Sequence, residues 1–297
     1  MTILYLLQKL QLVLKPYLDS IIKRLSASLV SFCSRYCLQI LSLSQKIIKP
    51  KIMRAIKKLI HTMLSISGFV PEHMSLMRFV FMLGSVLVSV FILPKHKNLD
   101  FAIGYFLCST IAYVGLLFLV LPERGIRLSL IKRFGKQKAY LYFEAFLAFA
   151  FFHNGVSLSF ISQSSAGSGF FGSIPGSVTF TLFCILLTAG TVIKIWSAYV
   201  VGVPIYYWKD MFLGRKICHF VVTGPYKYFC NPMYGIGQLQ VYAIAIYYHS
   251  FYGLIFGAIN QGLVFLFYFT VEKPFIYRTY LLQRILAAVP SRDTIYH

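Results

Sequence analysis

Long uncharged segments dominate the hydrophobic pattern of the chain, and the longest of them stands near the C-terminus. Residues Tyr228 to Val271 contain no Asp, Glu, Lys or Arg, although polar motifs stand at both ends of the segment. An apolar helix needs about 20 residues to cross a bilayer, so this segment is long enough to cross and return. The pattern predicts a transmembrane helical hairpin with limbs at about Pro232 to Tyr248 and Phe251 to Val271. The two polar ends of such a hairpin meet on the same face of the membrane.

Four further apolar segments precede the hairpin. They predict membrane spans at about Arg78 to Pro94, Phe101 to Leu121, Ala139 to Ile161 and Gly176 to Val203. The sequence thus predicts an all-α polytopic membrane protein with about four spans plus the C-terminal hairpin. The loop at 124–138 carries six basic residues, whereas the loop near 162–175 carries no charge. The positive-inside rule therefore places the N-terminus, the 124–138 loop and the 204–231 segment on the cytoplasmic side.

The first 70 residues differ from the rest of the chain. They carry eleven Lys and Arg and one acid, Asp19, and their apolar residues recur at helical spacing. This pattern is typical of a basic amphipathic helix on an anionic membrane surface. It divides the chain into a membrane-surface region, residues 1–70, and a membrane-embedded domain, residues 71–297. A mitochondrial presequence is an alternative for the first region, because that region is basic, contains Ser and is nearly free of acids.

The composition agrees with a membrane protein. The chain of 297 residues is 58% hydrophobic and 12% charged, whereas a soluble domain is about half apolar and about a quarter charged. The formal net charge of +21 suits either a nucleic acid or anionic lipid head groups, and basic residues that flank apolar spans favour the lipid. The sequence has neither zinc-ligand spacing nor a nucleic-acid-binding signature, so we expect no metal and no nucleic acid as partners.

Residues Thr223 to Tyr234, Thr-Gly-Pro-Tyr-Lys-Tyr-Phe-Cys-Asn-Pro-Met-Tyr, lead into the first limb of the hairpin. Pro232 suits the first turn of a helix, and the free N–H groups of a helix start favour a carboxylate. The motif Gly-Pro-Tyr-x-Tyr-x-x-x-Pro-Met-Tyr, followed by an uncharged hairpin and Glu272, resembles the integral-membrane S-adenosylmethionine methyltransferases. That family includes the phospholipid N-methyltransferases and the isoprenylcysteine carboxyl methyltransferases. It usually has Arg-His-Pro-x-Tyr and then Glu-Glu, whereas this chain has Cys-Asn-Pro-Met-Tyr at 230–234 and Glu-Lys at 272–273.

Three further stretches narrow the resemblance. Gly190 to Trp196 and Tyr206 to Phe212 look like the segments that precede the motif in phosphatidylethanolamine methyltransferases of the fungal type, and Val271 to Tyr280 looks like their ending. The resemblance covers about residues 185 to 281. It implies methyl transfer from S-adenosylmethionine to the amino head group of phosphatidylethanolamine or its methylated forms, towards phosphatidylcholine. The alternatives are an isoprenylcysteine carboxyl methyltransferase and a non-catalytic membrane protein that keeps the fold.

The same resemblance implies the cofactor contacts. They come from both ends of the hairpin and from the preceding span: Gly190, Gly224, Tyr226, Asn231, Pro232, Tyr234 and Glu272. Glu272 would bind a polar end of the cofactor, and Gly190 would allow a close approach. A carboxylate at membrane depth is costly unless it is paired, and a cationic cofactor supplies the pair. The expected partner is a membrane phospholipid, and the expected compartment is the endoplasmic reticulum, with a mitochondrial or bacterial inner membrane as alternatives.

Methylation of an amine that is protonated in water calls for a base. Glu144 is one candidate, because an ionisable residue within an apolar span suggests a functional role; an ion pair with Lys194 or a loop arginine is the alternative. Asp210 is the second candidate, and its alternative is a solvated or salt-bridged acid. Two histidines, His153 and His219, are further candidates, although such residues more often have structural hydrogen bonds.

Overall fold

The computed structural model describes residues 50–168, 174–215, 221 and 223–282. The chain divides into two compact units, Met1–Lys57 and Lys58–His297. Residues 1–49, most of the predicted amphipathic region, lie outside the described residues, as does the candidate base His219. The amphipathic region and the proposed boundary at residue 70 therefore stay predictions.

The described residues form helices and no strand. In chain order the main helices are α1 (Pro50–Ile66), α2 (Leu76–Lys95), α3 (Leu99–Val120), α4 (Arg127–Phe134), α5 (Lys136–Ser164), α6 (Gly176–Val201), α7 (Ile236–Tyr247) and α8 (Phe251–Thr279). Within this described part, five helices (α2, α3, α5, α6 and α8) are long and apolar enough to cross a membrane. This finding confirms an all-α polytopic membrane protein. Helix α7 is shorter than a usual span, whereas the predicted first limb was long enough to cross.

Polar capping residues determine where three of these helices begin. The side chain of Ser75 accepts a hydrogen bond from the Arg78 N–H, and Asn98 accepts one from the Phe101 N–H. Ser250, at the tip of the hairpin, caps the start of α8 in the same way. Each such cap stabilises a helix by about 1 kcal/mol. Hydropathy alone predicts these helix starts only to within a few residues, because it does not identify the capping side chains.

The first limb of the hairpin begins later than predicted, and the prediction that Pro232 opens a helix is wrong. The Gly235 N–H donates to the Asn231 carbonyl over 3.0 Å, and the Gly237 N–H donates to the Pro232 carbonyl over 2.8 Å. These turns occupy the start of the predicted limb. They bring Gly237 against α6, where an added Cβ would lie 3.4 Å from Cβ of Lys194. The anion site predicted at a Pro232 helix start is therefore absent.

Small residues allow α5, α6, α7 and α8 to pack closely. A Cβ added at Gly190 would lie 2.6 Å from the backbone nitrogen of Gln240, and one at Gly257 would lie 3.2 Å from Val241. A Cβ at Gly253 would meet the Ser162 hydroxyl of α5 at closer than any normal contact. Membrane helices depend on such contacts, since they associate through van der Waals packing. Gly253 and Gly257 therefore serve the close packing of α8 against its neighbours.

We expect Gly190→Ala to destabilise the protein, because its new methyl group meets backbone that cannot rotate away. Overpacking of this kind costs about 1–3 kcal/mol. The measurement is thermal unfolding in detergent micelles. Gly104→Ala in α3 is the matched control, since nothing lies within 4 Å of a Cβ added there. Equal melting temperatures for the two variants would contradict the close contact between α6 and α7.

Candidate functional site

Tyr234 and Glu272 bring the two ends of the hairpin into contact. The Tyr234 hydroxyl donates a hydrogen bond to the Glu272 carboxylate over 2.7 Å. Gln261 of α8 adds a second connection, because its amide nitrogen donates to the Tyr234 carbonyl over 2.8 Å. Its amide oxygen accepts from the Tyr242 hydroxyl over 2.6 Å. The meeting of the hairpin ends, on which the predicted site depends, is thus present.

Glu272 lies on a widened turn of α8. The backbone over Tyr268–Glu272 is a π-helix, a geometry that frequently occurs at functional sites. The Glu272 side chain is partly buried, and no basic side chain of the described residues lies within ion-pair distance of it. The neighbouring Lys273 ammonium lies instead over the ring of Phe269, 5.3 Å from its centre. Glu272 therefore lies within the candidate span α8 without a counter-ion in the described part of the protein.

A cavity of about 140 Å³ lies beside this carboxylate. We call it the Glu272 cavity. Its walls include four of the predicted cofactor contacts and one predicted base: Asp210, Tyr226, Asn231, Tyr234 and Glu272. The connection between α6 and α7 supplies Asp210, Tyr226, Asn231 and Tyr234, and α8 supplies Glu272. Residues distant in the sequence therefore share one cavity at the end of the hairpin.

The hydroxyl of Tyr226 is an unsatisfied polar group at this cavity. It is buried and has no hydrogen-bond partner among the described residues, and the same holds for the Ser197 hydroxyl. Burial raises the pKa of Tyr226 above its ordinary value and the charge of Glu272 raises it further, whereas the neighbouring Ser197 hydroxyl offsets part of the increase. Tyr226 therefore keeps its phenolic proton and offers a hydrogen bond to a ligand.

Asp210 differs from an ordinary surface acid. Its side chain is partly buried, and burial raises its pKa, whereas Arg215 and Lys209 lower it. The net shift is upward. A carboxylate whose pKa moves towards neutrality is a better proton acceptor at neutral pH.

The aromatic side chains of Tyr206, Tyr207 and Trp208 line an internal cavity. Tyr207 is 1% exposed and its hydroxyl donates to the Ser65 carbonyl over 2.6 Å. Trp208 is 9% exposed and takes a left-handed backbone conformation with φ 50°. Its indole packs edge-on against Phe267 and approaches the Glu272 carboxyl group. Strain of this kind is typical of functional sites.

Three predicted cofactor contacts lie outside the wall of the Glu272 cavity. Gly190 packs against the backbone of α7, and Pro232 belongs to the turns before α7. Gly224 has φ +62° and leaves no room for a Cβ, which would lie 3.1 Å from Nε1 of Trp196. Its turn places Tyr226 at the cavity. A direct cofactor contact of these three residues stays a prediction.

Glu144 belongs to an ion network between helices. Its carboxylate lies 3.3 Å from Nη1 of Arg78 and 2.7 Å from Nδ1 of His73, and it accepts a hydrogen bond from Tyr140 over 3.1 Å. The predicted partners, Lys194 or a loop arginine, are therefore corrected to Arg78 at the start of α2 and His73 just before it. Glu144 is 2% exposed and does not line the Glu272 cavity. Its predicted catalytic role gains no geometric support.

His153 has structural partners on both ring nitrogens. Nδ1 lies 2.5 Å from the Tyr105 hydroxyl, and Nε2 lies 3.0 Å from the Ser85 hydroxyl. These hydrogen bonds engage both ring nitrogens, which agrees with a structural role for His153 rather than a role as the catalytic base. Within the described ranges, no group of three or more His, Cys, Asp or Glu is arranged to hold a metal ion.

A comparison with known protein families gives a match in the region that contains this cavity. Residues 178–283 match the phospholipid methyltransferase family model. The matched region begins in α6, contains Tyr234 and Glu272, and ends just after α8. It confirms the resemblance of this region to membrane methyltransferases of the phospholipid branch. No curated protein and no solved structure matches the chain.

Proposed function

We propose that the protein is a phospholipid N-methyltransferase. It transfers a methyl group from S-adenosylmethionine to the amino head group of phosphatidylethanolamine or its methylated forms, towards phosphatidylcholine. The observation that carries the proposal is Glu272, a partly buried carboxylate beside a cavity with no protein counter-ion among the described residues. A cationic ligand offsets the cost of such a charge. The family match of residues 178–283 supports the lipid acceptor.

The polar and aromatic groups at the cavity suit S-adenosylmethionine. The Glu272 carboxylate suits a cationic group, and the free Tyr226 hydroxyl suits a polar group of the ribose or amino-acid end. Aromatic side chains on the wall, Tyr206, Trp208 and Tyr268, suit an adenine ring. The cavity of about 140 Å³ is smaller than ordinary ligand sites of about 300 Å³ or more. Cofactor binding therefore requires the cavity to widen.

The chemistry assigns a separate role to each residue. S-adenosylmethionine supplies a methyl group on a sulfonium, from which a nucleophile displaces it in line. Glu272 and Tyr226 hold the cofactor, and the aromatic wall excludes water. The Asp210 carboxylate accepts a proton from the acceptor ammonium, so that the nitrogen has a free electron pair; burial of the amine assists by lowering its pKa. Much of the rate acceleration then comes from holding the acceptor nitrogen in line with the methyl group.

Methyl-labelled S-adenosylmethionine tests the function directly. The purified protein is incubated with phosphatidylethanolamine, with a prenylated cysteine peptide, or with neither, and the labelled products are identified. We expect label on the phospholipid head group. Label on the peptide carboxylate would instead indicate the related carboxyl methyltransferase, and an absence of label together with an absence of cofactor binding would indicate a non-catalytic protein.

Asp210→Asn is expected to change the pH dependence of the methyl transfer. In the wild type, the rate falls as the pH falls through the raised pKa of Asp210, because the proton-accepting carboxylate is lost. The variant should lack this acidic limb and should be about tenfold slower at neutral pH, below the usual contribution of a general base because burial already promotes loss of the amine proton. Rates across pH 5 to about 8 measure the effect. Asp100→Asn, at an exposed acid of α3, is the control. An unchanged limb in Asp210→Asn would contradict the assignment.

For the compartment we propose the endoplasmic reticulum, with the cofactor reaching the Glu272 cavity from the cytoplasmic side. The support is the predicted topology, in which the 204–231 segment and the C-terminal end of the hairpin share that side. Imaging of a fluorescent fusion beside compartment markers tests this placement. A mitochondrial pattern would favour the presequence interpretation of the first 70 residues.

A further inference from the structure

A second and larger cavity lies beside α5, α6 and α7. Its volume is about 790 Å³, and most of its lining is apolar. The polar side chains that line it include Asn154 of α5, Lys194 of α6 and Asn260 of α8. We call it the Lys194 cavity. The proposed cofactor site does not use this space.

Lys194 is the charged group of this cavity. Its side chain is 8% exposed, and no carboxylate of the described residues lies within ion-pair distance of it. Its ammonium lies 4.8 Å from the centre of the Phe151 ring, a contact that offsets only part of the cost of burying the charge. Lys194 stands seven residues before the end of α6 at Val201, which is about 10 Å along the helix. A cation at this depth calls for an anion.

Asn260 is an independent sign that a polar ligand enters the cavity. Its side chain is 4% exposed, and its amide oxygen is buried without a hydrogen-bond partner among the described residues. A buried polar atom left unpaired costs about 1–3 kcal/mol. A ligand that brings a hydrogen-bond donor, such as an ammonium or an ordered water, removes that cost.

The Lys194 cavity continues towards the Glu272 cavity through a small intermediate space. Four residues line both the Lys194 cavity and this intermediate space: Tyr113, Phe151, Lys194 and Gln238. On its other side, Tyr234 and Trp208 line both the intermediate space and the Glu272 cavity. The unpaired cation and the unpaired carboxylate therefore stand at the two ends of one row of cavities.

We propose that the Lys194 cavity receives the acceptor phospholipid, with the Lys194 ammonium bound to its phosphodiester. The inference rests on the proposed function, because it assigns a site to the acceptor of that reaction. Phosphatidylethanolamine has one anionic group, the phosphate, and one cationic group, the amine, a short chain apart. Lys194 binds the phosphate as a point charge, the apolar wall contacts the acyl chains, and the amine points along the row of cavities towards Tyr234. The volume of about 790 Å³ lies within the usual range of ligand sites, about 300–1,000 Å³.

Lipid binding to Lys194→Met in detergent micelles tests the proposal. The two ligands are phosphatidylethanolamine and a diacylglycerol with the same acyl chains, which lacks the phosphate, and bound lipid is counted by native mass spectrometry. We expect at least about tenfold weaker binding of phosphatidylethanolamine, the loss of a hydrogen bond to a charged group, and unchanged binding of diacylglycerol. Lys194→Arg should restore most of the affinity, since it keeps the positive charge. Lys138→Met, at an exposed lysine of α5, is the control for the loss of one charge.

Unchanged binding of phosphatidylethanolamine in Lys194→Met would overturn the proposal, and so would an equal loss for both lipids, which indicates a packing defect. If Lys194→Met does not fold, Lys194→Gln takes its place with the same readouts. Titration with S-adenosylhomocysteine separates this inference from the proposed function. Should wild-type protein bind phosphatidylethanolamine through Lys194 but neither bind S-adenosylhomocysteine nor transfer a methyl group, the lipid site stands and the proposed function fails.

Discussion

Glu272→Gln is expected to weaken the binding of S-adenosylhomocysteine at least about a hundredfold, because it removes the carboxylate partner of a cationic group in a partly buried site. The uncomplexed variant should be no less stable than the wild type, since Glu272 has no counter-ion within ion-pair distance among the described residues. A loss of affinity without a loss of stability distinguishes a ligand-binding carboxylate from a structural one. Calorimetric titration and thermal unfolding of the same sample measure both quantities.

Two further variants make the Glu272 result specific. Tyr234→Phe removes the hydroxyl that donates to Glu272 over 2.7 Å and should weaken binding about tenfold, the cost of one hydrogen bond to a charged group. Glu123→Gln makes the same chemical change at an exposed carboxylate that pairs with Arg278 and should leave binding unchanged. Wild-type affinity in Glu272→Gln would refute the assignment of the cofactor site.

Glu144→Gln is expected to lower the free energy of unfolding by about 3–5 kcal/mol, because it leaves a buried charge without its partner. The Arg78 side chain is 10% exposed, and its Nε and Nη2 atoms already lack partners among the described residues. The Glu144 carboxylate is therefore the group that compensates the Arg78 charge, and it also contacts His73 ahead of α2. Unfolding by a denaturing detergent, followed by circular dichroism, measures the loss.

A double-mutant cycle with Arg78→Leu isolates this ion pair. The double variant should be more stable than Glu144→Gln alone, since it no longer buries an unpaired cation. Glu123→Gln, which breaks an exposed pair with Arg278, should change stability by about 0–1 kcal/mol. If Glu144→Gln kept full stability but abolished methyl transfer, the catalytic role that the sequence suggested for Glu144 would be restored.

Local sequence signals predict the spans and the meeting of the hairpin ends. The uncharged run from Tyr228 to Val271 has the length of two crossings, and a hairpin must return its ends to one side. The contact between Tyr234 and Glu272 follows from that geometry. The helix starts follow less closely, because they depend on caps such as Ser75 and Asn98.

The partners of buried charges are not predictable from local sequence. Glu144 and Lys194 both stand in apolar runs, and the sequence leaves open whether Glu144 pairs with Lys194 or with a loop arginine. Which acid meets which base depends on helix rotation and tilt, which packing determines. Here Arg78 faces Glu144, and Lys194 faces Phe151 and a cavity. The burial of Trp208 is not predictable from local sequence either. Aromatic residues near helix ends are equally typical of an interfacial belt.

Asn231 shows how the chain departs from the usual family motif without losing the local fold. At the position where the family usually has histidine, the side-chain oxygen of Asn231 accepts a hydrogen bond from the Tyr234 N–H over 3.3 Å. This bond stabilises the turn that presents Tyr234 to Glu272. The geometry of the hairpin end therefore does not require the usual histidine.

Photoaffinity labelling tests the central claim most directly. An azido-adenine analogue of S-adenosylmethionine is cross-linked to the protein in phosphatidylethanolamine-containing membranes, and the labelled peptides are identified by mass spectrometry. We expect adducts within residues 206–234 or 268–276, at the wall of the Glu272 cavity, and their loss in the presence of excess S-adenosylhomocysteine. Adducts confined to other helices, or labelling that S-adenosylhomocysteine does not reduce, would contradict that claim.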